Sequence, residues 1–184
     1  HMKTIVVPFD FSPNARKALS TALQLAKATA SGVMVVHVVH QSPYKLAAAG
    51  NESEMNRLIR QDEMDKKIAL QQETEEIRQT LSLKFPAGQI LQKAVYHPLV
   101  VEKIIELANA EDAGMIVMGT HGASGLRKVL FGTNTANMLS RSDIPVLAIP
   151  GDYEFKPVEK IVYASDLENL EAELKQIIPF AIAL

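Results

Sequence analysis

The 184-residue chain contains no cysteine. Disulfides, thiolate metal sites and cysteine nucleophiles are excluded together, and such a chain suits a reducing compartment. An excess of one charge is also lacking: 19 Lys and Arg stand against 21 Asp and Glu, a net −2. That balance gives no global pull toward DNA, RNA or an anionic membrane, so neither nucleic acid nor a membrane is expected as a partner. No apolar run approaches the ~20 residues that span a bilayer. The start, His1-Met2-Lys3, leads straight into a strand pattern without a charged leader and cleavable apolar segment. His1 reads as an expression scar, Met2 as the native start, and the expected location is cytoplasmic. No Walker sequence G-x-x-x-x-G-K-[ST], Ser-His-Asp arrangement or metal-ligand constellation stands out. His37 and His40 fall on opposite sides of one strand's pleat and cannot share a metal there. His37 is expected as a core or helix-facing residue.

What is present is an alternation of strands and helices. Residues 4–10 form a short β-rich run ending in Asp10, and Ser12-Pro13 then supplies an N-cap and a favoured first helical residue. Ala15, Ala18, Leu19, Ala22, Leu25 and Ala26 recur at helical spacing. Further strands are expected at 33–39, 89–96, 114–119 and 144–150. Helices are expected within 52–82, a long and well-solvated stretch, and at 98–109 and 132–142. Pro145 and Pro150 suit the last strand to a sheet edge. Such an alternation predicts a parallel sheet with helices on both faces. A domain of ~150 residues buries roughly 70% of its unfolded surface, enough to stand without a metal or a disulfide.

The chain then begins to repeat itself. After a linker at 151–158, Lys160-Ile-Val-Tyr-Ala-Ser-Asp166 mirrors Thr4-Ile-Val-Val-Pro-Phe-Asp10, and Leu170, Leu174, Ile177, Ile178 and Ala181 follow at helical spacing. The expectation is a domain at 2–150 and, at 159–184, the first strand and helix of an incomplete second copy. The chain therefore reads as a fragment of a tandem protein. A lone β-α unit cannot bury its apolar face, so this unit is a candidate for self-association. The alternative is a native tail that covers its own domain.

The chemistry sits in residues 119–135. A strand ends at Gly119, a loop carrying Gly122 and Gly125 follows, and Gly132-Thr133 opens a helix. Glycines let backbone N–H groups approach an anion, and a helix N-terminus offers unpaired donors and a partial positive charge. The hydroxyls of Thr133 and Thr135 add donors, and Arg127 and Lys128 could offset phosphate charge. His121 could touch phosphate or be an exposed turn residue. The purely structural alternative is that the glycines turn the chain and Thr133 caps the helix. The spacing Gly119-x-x-Gly122-x-x-Gly125 does not fit a dinucleotide fingerprint, and it follows the fourth strand rather than the first.

These residues resemble the universal stress protein (UspA-like) family in its ATP-binding-motif subgroup. Gly119, Gly122, Gly132 and Thr133 match its G-x2-G-x9-G-[ST] pattern. Asp10-Phe-Ser12, the Val-x-His-Val-Val close of strand two and Ser142-Asp-Ile-Pro-Val are also similar. The resemblance implies a five-stranded parallel sheet of order 3-2-1-4-5, an adenine-nucleotide alpha-hydrolase-like fold. It also implies an ATP site: Asp10 at the adenosine end, backbone of Val38 and Val39 framing the adenine, Met118 and Gly119 flanking it. Gly122, Gly132, Thr133, Asn134 and Thr135 would lie about the phosphates. Asp10 could instead cap the helix that begins nearby. Asn134 departs from the small apolar residue usual after Gly-[ST], and Tyr96-His97-Pro98 lacks a glycine often found there. Asp10 or the threonine hydroxyls could help hold Mg²⁺, yet no general base is identifiable. Three functions follow: a nucleotide-responsive regulatory module in the stress response, a slow ATPase or phosphotransferase at the same site, or a non-binding dimeric scaffold. Pairing through residues 144–150 is implied by the family, and the 159–184 unit is a second route to a homo-oligomer.

Overall fold

The computed structural model describes residues 3–40, 50–120, 132–164 and 167–183. Its elements run β1 (Ile5–Pro8), α1 (Pro13–Thr29), β2 (Val33–Val39), α2 (Glu52–Thr80), β3 (Ile90–Tyr96), α3 (Val100–Ala110), β4 (Met115–Gly119), α4 (Thr133–Arg141), β5 (Val146–Ile149) and α5 (Leu170–Ala183). The strands form one parallel sheet of order β3-β2-β1-β4-β5. The family's strand order is therefore met, with β5 at an edge. The segment 41–49 lies outside the described residues.

Strand period two divides the core into two layers. Ile5, Val7, Val33, Val35, Met115 and Val117 face α1 and α2. Val6, Met34, Val36, Val38, Ile116 and Met118 face α3 and α4. A strand buried on both faces reads as an unbroken apolar run, and 5–7 and 33–36 do. Every α1 residue expected inward is buried, with Leu23 beside them. Ser12 accepts from the Ala15 N–H at 3.1 Å and starts the helix. Ala30, in the left-handed region at φ 53, ends it. The long α2 is amphipathic over half its length: Leu70, Thr74 and Ile77 are buried, whereas Met64 and Ile68 are exposed. Ion pairs from Arg16 to Glu73 and Glu76 tie it to α1. Glu63 accepts the Tyr96 N–H at 2.7 Å, occupying a donor at the end of edge strand β3.

The register opens the molecule at one place. β1 pairs with β2 over all of residues 5–8, but with β4 only at Ile5 and Val6. β4 runs on to Gly119 beside β5. Pro8 has no N–H to continue a ladder, so β1 and β4 part there. This is the point where the strand order reverses, with β2 and β3 on one side and β4 and β5 on the other. Open α/β sheets bind ligands at such a place.

Beyond β5 the chain stays attached for a few residues. Tyr153 donates its N–H to the Pro150 carbonyl at 3.1 Å, and Tyr153 and Phe155 pack on the α1-side core. The strand expected from residue 160 is corrected here: residues 159–164 are not a strand, and Val162 is 81% exposed. Among the described residues no strand flanks them to complete a ladder. The helix expected after them is present as α5. Residues Phe11 and Leu167, which follow the similar runs 4–10 and 160–166, share a left-handed backbone at φ 62 and φ 68. Among the described residues no helix is long and apolar enough to cross a membrane.

Candidate functional site

A cleft of about 370 Å³ occupies the parting of β1 and β4. The strand ends Pro8, Phe9, Val36, His37, Val38, Met118 and Gly119 form its base, Val100 and Ile104 of α3 and Met138 of α4 one apolar wall. Its polar lining is Asp10 and Ser12 on one side and Gly132, Thr133, Asn134 and Thr135 on the other. Among these described residues there is one carboxylate and no lysine or arginine.

The opening of α4 is built to leave donors free. Gly132 is its N-cap and has no side chain to cap with. The first intrahelical bond is Ala136 N–H to Gly132 O at 2.9 Å. The N–H groups of Thr133, Asn134 and Thr135 precede it and meet no acceptor among the described residues, as first-turn amides do unless something caps them. Thr133 and Asn134 are exposed, whereas Thr135 is 3% exposed and donates its hydroxyl to the Gly119 carbonyl at 2.9 Å. The single hydroxyl proton of Thr135 thus fastens α4 to the end of β4, and its backbone N–H is the donor it can offer a ligand. Gly132 donates to the Thr120 carbonyl at 2.7 Å, so the mouth of the helix is pinned at two points.

Asp10 holds the turn into α1 and faces the cleft at once. Its Oδ1 accepts the Ser12 N–H at 3.0 Å, and none of the described residues donates to Oδ2. Between them Phe11 sits at φ 62, a conformation unusual for a bulky residue. Edge-on ring contacts hold it there, to Phe9 at 5.2 Å and His37 at 4.9 Å between centroids, with the Lys66 ammonium 5.2 Å above its ring. His37 donates from Nδ1 to the Phe9 carbonyl at 2.7 Å. Burial holds its pKa below the ordinary 6.5; the bond to Phe9 opposes this, Lys66 reinforces it and Asp10 opposes it.

Gly119 has a packing reason for being glycine. A Cβ there would meet Asn14 Cβ at 2.9 Å and the Asn14 carbonyl at 3.0 Å. Of the residues singled out in the sequence, Asp10, Val38, Met118, Gly119, Gly132, Thr133, Asn134 and Thr135 line the cleft. Val39 stands outside the lining, with its carbonyl accepting from the His97 N–H at 3.3 Å. Gly122, His121, Gly125, Arg127 and Lys128 lie outside the described residues. His37, expected as core or helix-facing, packs against Phe11 and also opens onto the cleft. Sequence reasoning passed over Pro8, Val36, Val100, Ile104 and Met138. Only Pro8 carried a local signal, a proline inside a run that otherwise reads as a central strand.

Residues 1–150 match the Universal stress protein family. The chain belongs to the universal stress protein family. It is 32% identical over 166 residues to the stress response protein NhaX of Bacillus subtilis, covering 81% of this chain and 98% of that protein. It is 29% identical over 160 residues to Universal stress protein MJ0577 of Methanocaldococcus jannaschii, covering 80% and 94%. The solved structure of MJ0577 superposes with a TM-score of 0.58 at 27% identity, over 80% of this chain and 95% of that one. A universal stress protein solved in complex with cAMP shares the fold, with a TM-score of 0.55 at 21% identity over 81% and 97%. The family match ends at residue 150, so the strap carrying Tyr153 and Phe155 lies beyond it.

Proposed function

We propose that this universal stress protein binds ATP in the cleft between β1 and β4 and serves as a nucleotide-responsive binding module of the cytoplasmic stress response. The observation that carries the reading is the uncapped first turn of α4, Thr133 to Thr135, lining a cleft that also has an apolar base and an apolar wall. Such a turn attracts phosphate oxygens through its amides and partial charge. The apolar surface of Val36, Val38 and Met118 at the base, with Ile104 on the wall, suits the flat face of a nucleobase, and Asp10 Oδ2 can accept from the ribose or base. The cAMP complex of a protein with this fold supports an adenine nucleotide as the class of ligand. The choice of a triphosphate rests on the G-x2-G-x9-G-[ST] motif, whose Gly122 lies outside the described residues.

Magnesium fits the donor set as a companion of the phosphates. It keeps much of its water and needs only one or two protein oxygens beside the phosphates. Asp10 and the Thr133 hydroxyl are among the oxygen donors of the lining. Association through the open edge of β5 belongs to the same reading. Val146→Lys should leave the fold intact and lower the mass seen by light scattering; an unchanged mass counts against that interface.

Calorimetric titration of Mg-ATP tests the site. Micromolar binding is expected, about −8 kcal/mol, and Gly132→Arg should abolish it by filling the mouth of α4 with a side chain. Equal binding by the variant would move the ligand elsewhere, and silence of a nucleotide-free wild type would leave a dimeric scaffold. Phosphate release above the Gly132→Arg background would make the module a slow ATPase.

A further inference from the structure

Asn14, in the first turn of α1, is wedged between two glycines. One is Gly119, on the cleft, where a Cβ would meet the Asn14 backbone and Cβ at 2.9 to 3.0 Å. The other is Gly151, just past β5, where a Cβ would lie 2.5 Å from Asn14 Oδ1. Neither glycine has a positive φ, so each position answers a need for space rather than for backbone freedom. Gly119 lines the cleft and Gly151 does not. The same asparagine therefore touches the ligand-binding end of the sheet and the start of the strap.

Hydrogen bonds join these two places by a second route. The Thr120 N–H donates to the Ile149 carbonyl at 3.0 Å, and the Thr120 carbonyl accepts from Gly132 at 2.7 Å. Two bonds in series thus connect the end of β5 to the N-cap of α4. Pro150 and Gly151 follow Ile149 directly, and Tyr153 and Phe155 then clamp the strap to the α1-side core.

We infer that Asn14 is a positioning residue that couples docking of the strap, residues 150–155, to ligand binding at the mouth of α4. The inference rests on the nucleotide reading given above. With the strap docked, Gly151 leaves room for the Asn14 side chain, and α1 holds its close approach to Gly119. Gly119 in turn holds Thr135, and so fixes the first-turn amides that meet the phosphates. A side chain at Gly151 strikes Asn14 Oδ1 and lifts the start of the strap, and the bonds from Ile149 through Thr120 to Gly132 carry that shift to the mouth of α4. Coupling of this kind is reciprocal: a bound nucleotide stabilises the docked strap, which makes the strap the part of the domain that reports occupancy to whatever follows it.

The test is a double-mutant cycle on the full chain. Mg-ATP is titrated into wild type, Gly151→Val, Asn14→Ala and the double variant, and amide exchange at Thr120 and Gly132 is followed in each without ligand. Gly151→Val should raise Kd about fivefold, the low end of ordinary coupling, and speed exchange at Gly132. Asn14→Ala should weaken binding less, and adding Gly151→Val to it should cost nothing further, since the atom it strikes is gone. That rescue separates positioning from a general loss of stability. If Gly151→Val does not fold, Gly151→Ala places its methyl against the same oxygen. Wild-type Kd in the Gly151 variant, or costs that simply add, would overturn the coupling. Should wild type bind no ATP, the nucleotide reading falls while the exchange rates still decide: faster exchange in Gly151→Val, relieved in the double variant, supports the coupling, and equal rates sink it.

Discussion

Two stretches of this chain are written alike and end differently. Residues 5–7 are wholly buried, whereas Ile161 and Val162 at the matching places are 41% and 81% exposed. α1 sinks an apolar face into the core, whereas α5 leaves Ile178 and Ile182 in the open. Yet the left-handed residue after the strand position recurs, Phe11 in one unit and Leu167 in the other, and a helix follows both. The difference teaches which features are local. A turn and a helix arise from nearby residues and recur without a sheet. A strand is conferred by its neighbours, because β-preference is largely a measure of fit to a flanked, half-buried surface. β1 has β2 and β4 on its two sides; among the described residues, 159–164 have no strand on either.

The strongest way to break the comparison is a charge. Val6→Asp should cost more than about 4 kcal/mol and unfold the domain, since it buries an unpaired carboxylate between two sheet neighbours. Val162→Asp should shift urea stability by no more than about 0.5 kcal/mol. A large effect at 162 would mean that the second unit is docked. Shortening the chain sharpens the boundary. Ending it after residue 158 should leave stability alone, and ending it after 151 should lose about 2 kcal/mol as Tyr153 and Phe155 leave the core. Equal stabilities would place the strap outside the domain. Within the first unit, Ser12→Ala removes the α1 cap and should cost about 1 kcal/mol, read from the same urea curves.

The smallest effect concerns protons. Burial favours neutral His37 in the folded state, so its folded pKa lies below the unfolded 6.5. Stability from this group is complete above pH 6.5. It falls as pH drops below 6.5, because the unfolded chain takes up a proton that the folded one resists, and levels off below the folded pKa. His37→Gln should flatten that part of a melting-temperature profile between pH 7 and 5; an unchanged slope would assign the loss to other groups.

Much of the sheet was legible because its residues obey short periods. The apolar runs at 33–39 and 114–119 gave strands within a residue of the observed ends. β5 came out shorter than 144–150 because Pro145 and Pro150 flank it. The strand order had no periodic signature and entered through the family resemblance. In the site, Gly132 and Thr133 were visible as a helix opening, and Asp10 as the end of β1. Val100, Ile104 and Met138 were not, since helices packed on the far face of the sheet bring them to the cleft. His37 faces the helix side as expected, beside Phe11 and with Lys66 of α2 nearby, and its further exposure to the cleft has no periodic signature. The expected strand from residue 160 failed for the reason already given: its pattern specifies what it could pair with, not that a partner stands beside it.

Phe11 has a consequence for any effort to make this protein withstand heat. A bulky side chain at φ 62 costs about 1 to 3 kcal/mol, so a search for tougher variants would be drawn to that turn, where glycine or asparagine sits at ease. The same substitution strips the ring that packs edge-on against His37 at the cleft. Selection for endurance and selection for ligand grip would therefore pull this one position in opposite directions. A thermotolerant variant recovered with a change at Phe11 should come out of the screen a poorer binder than its parent.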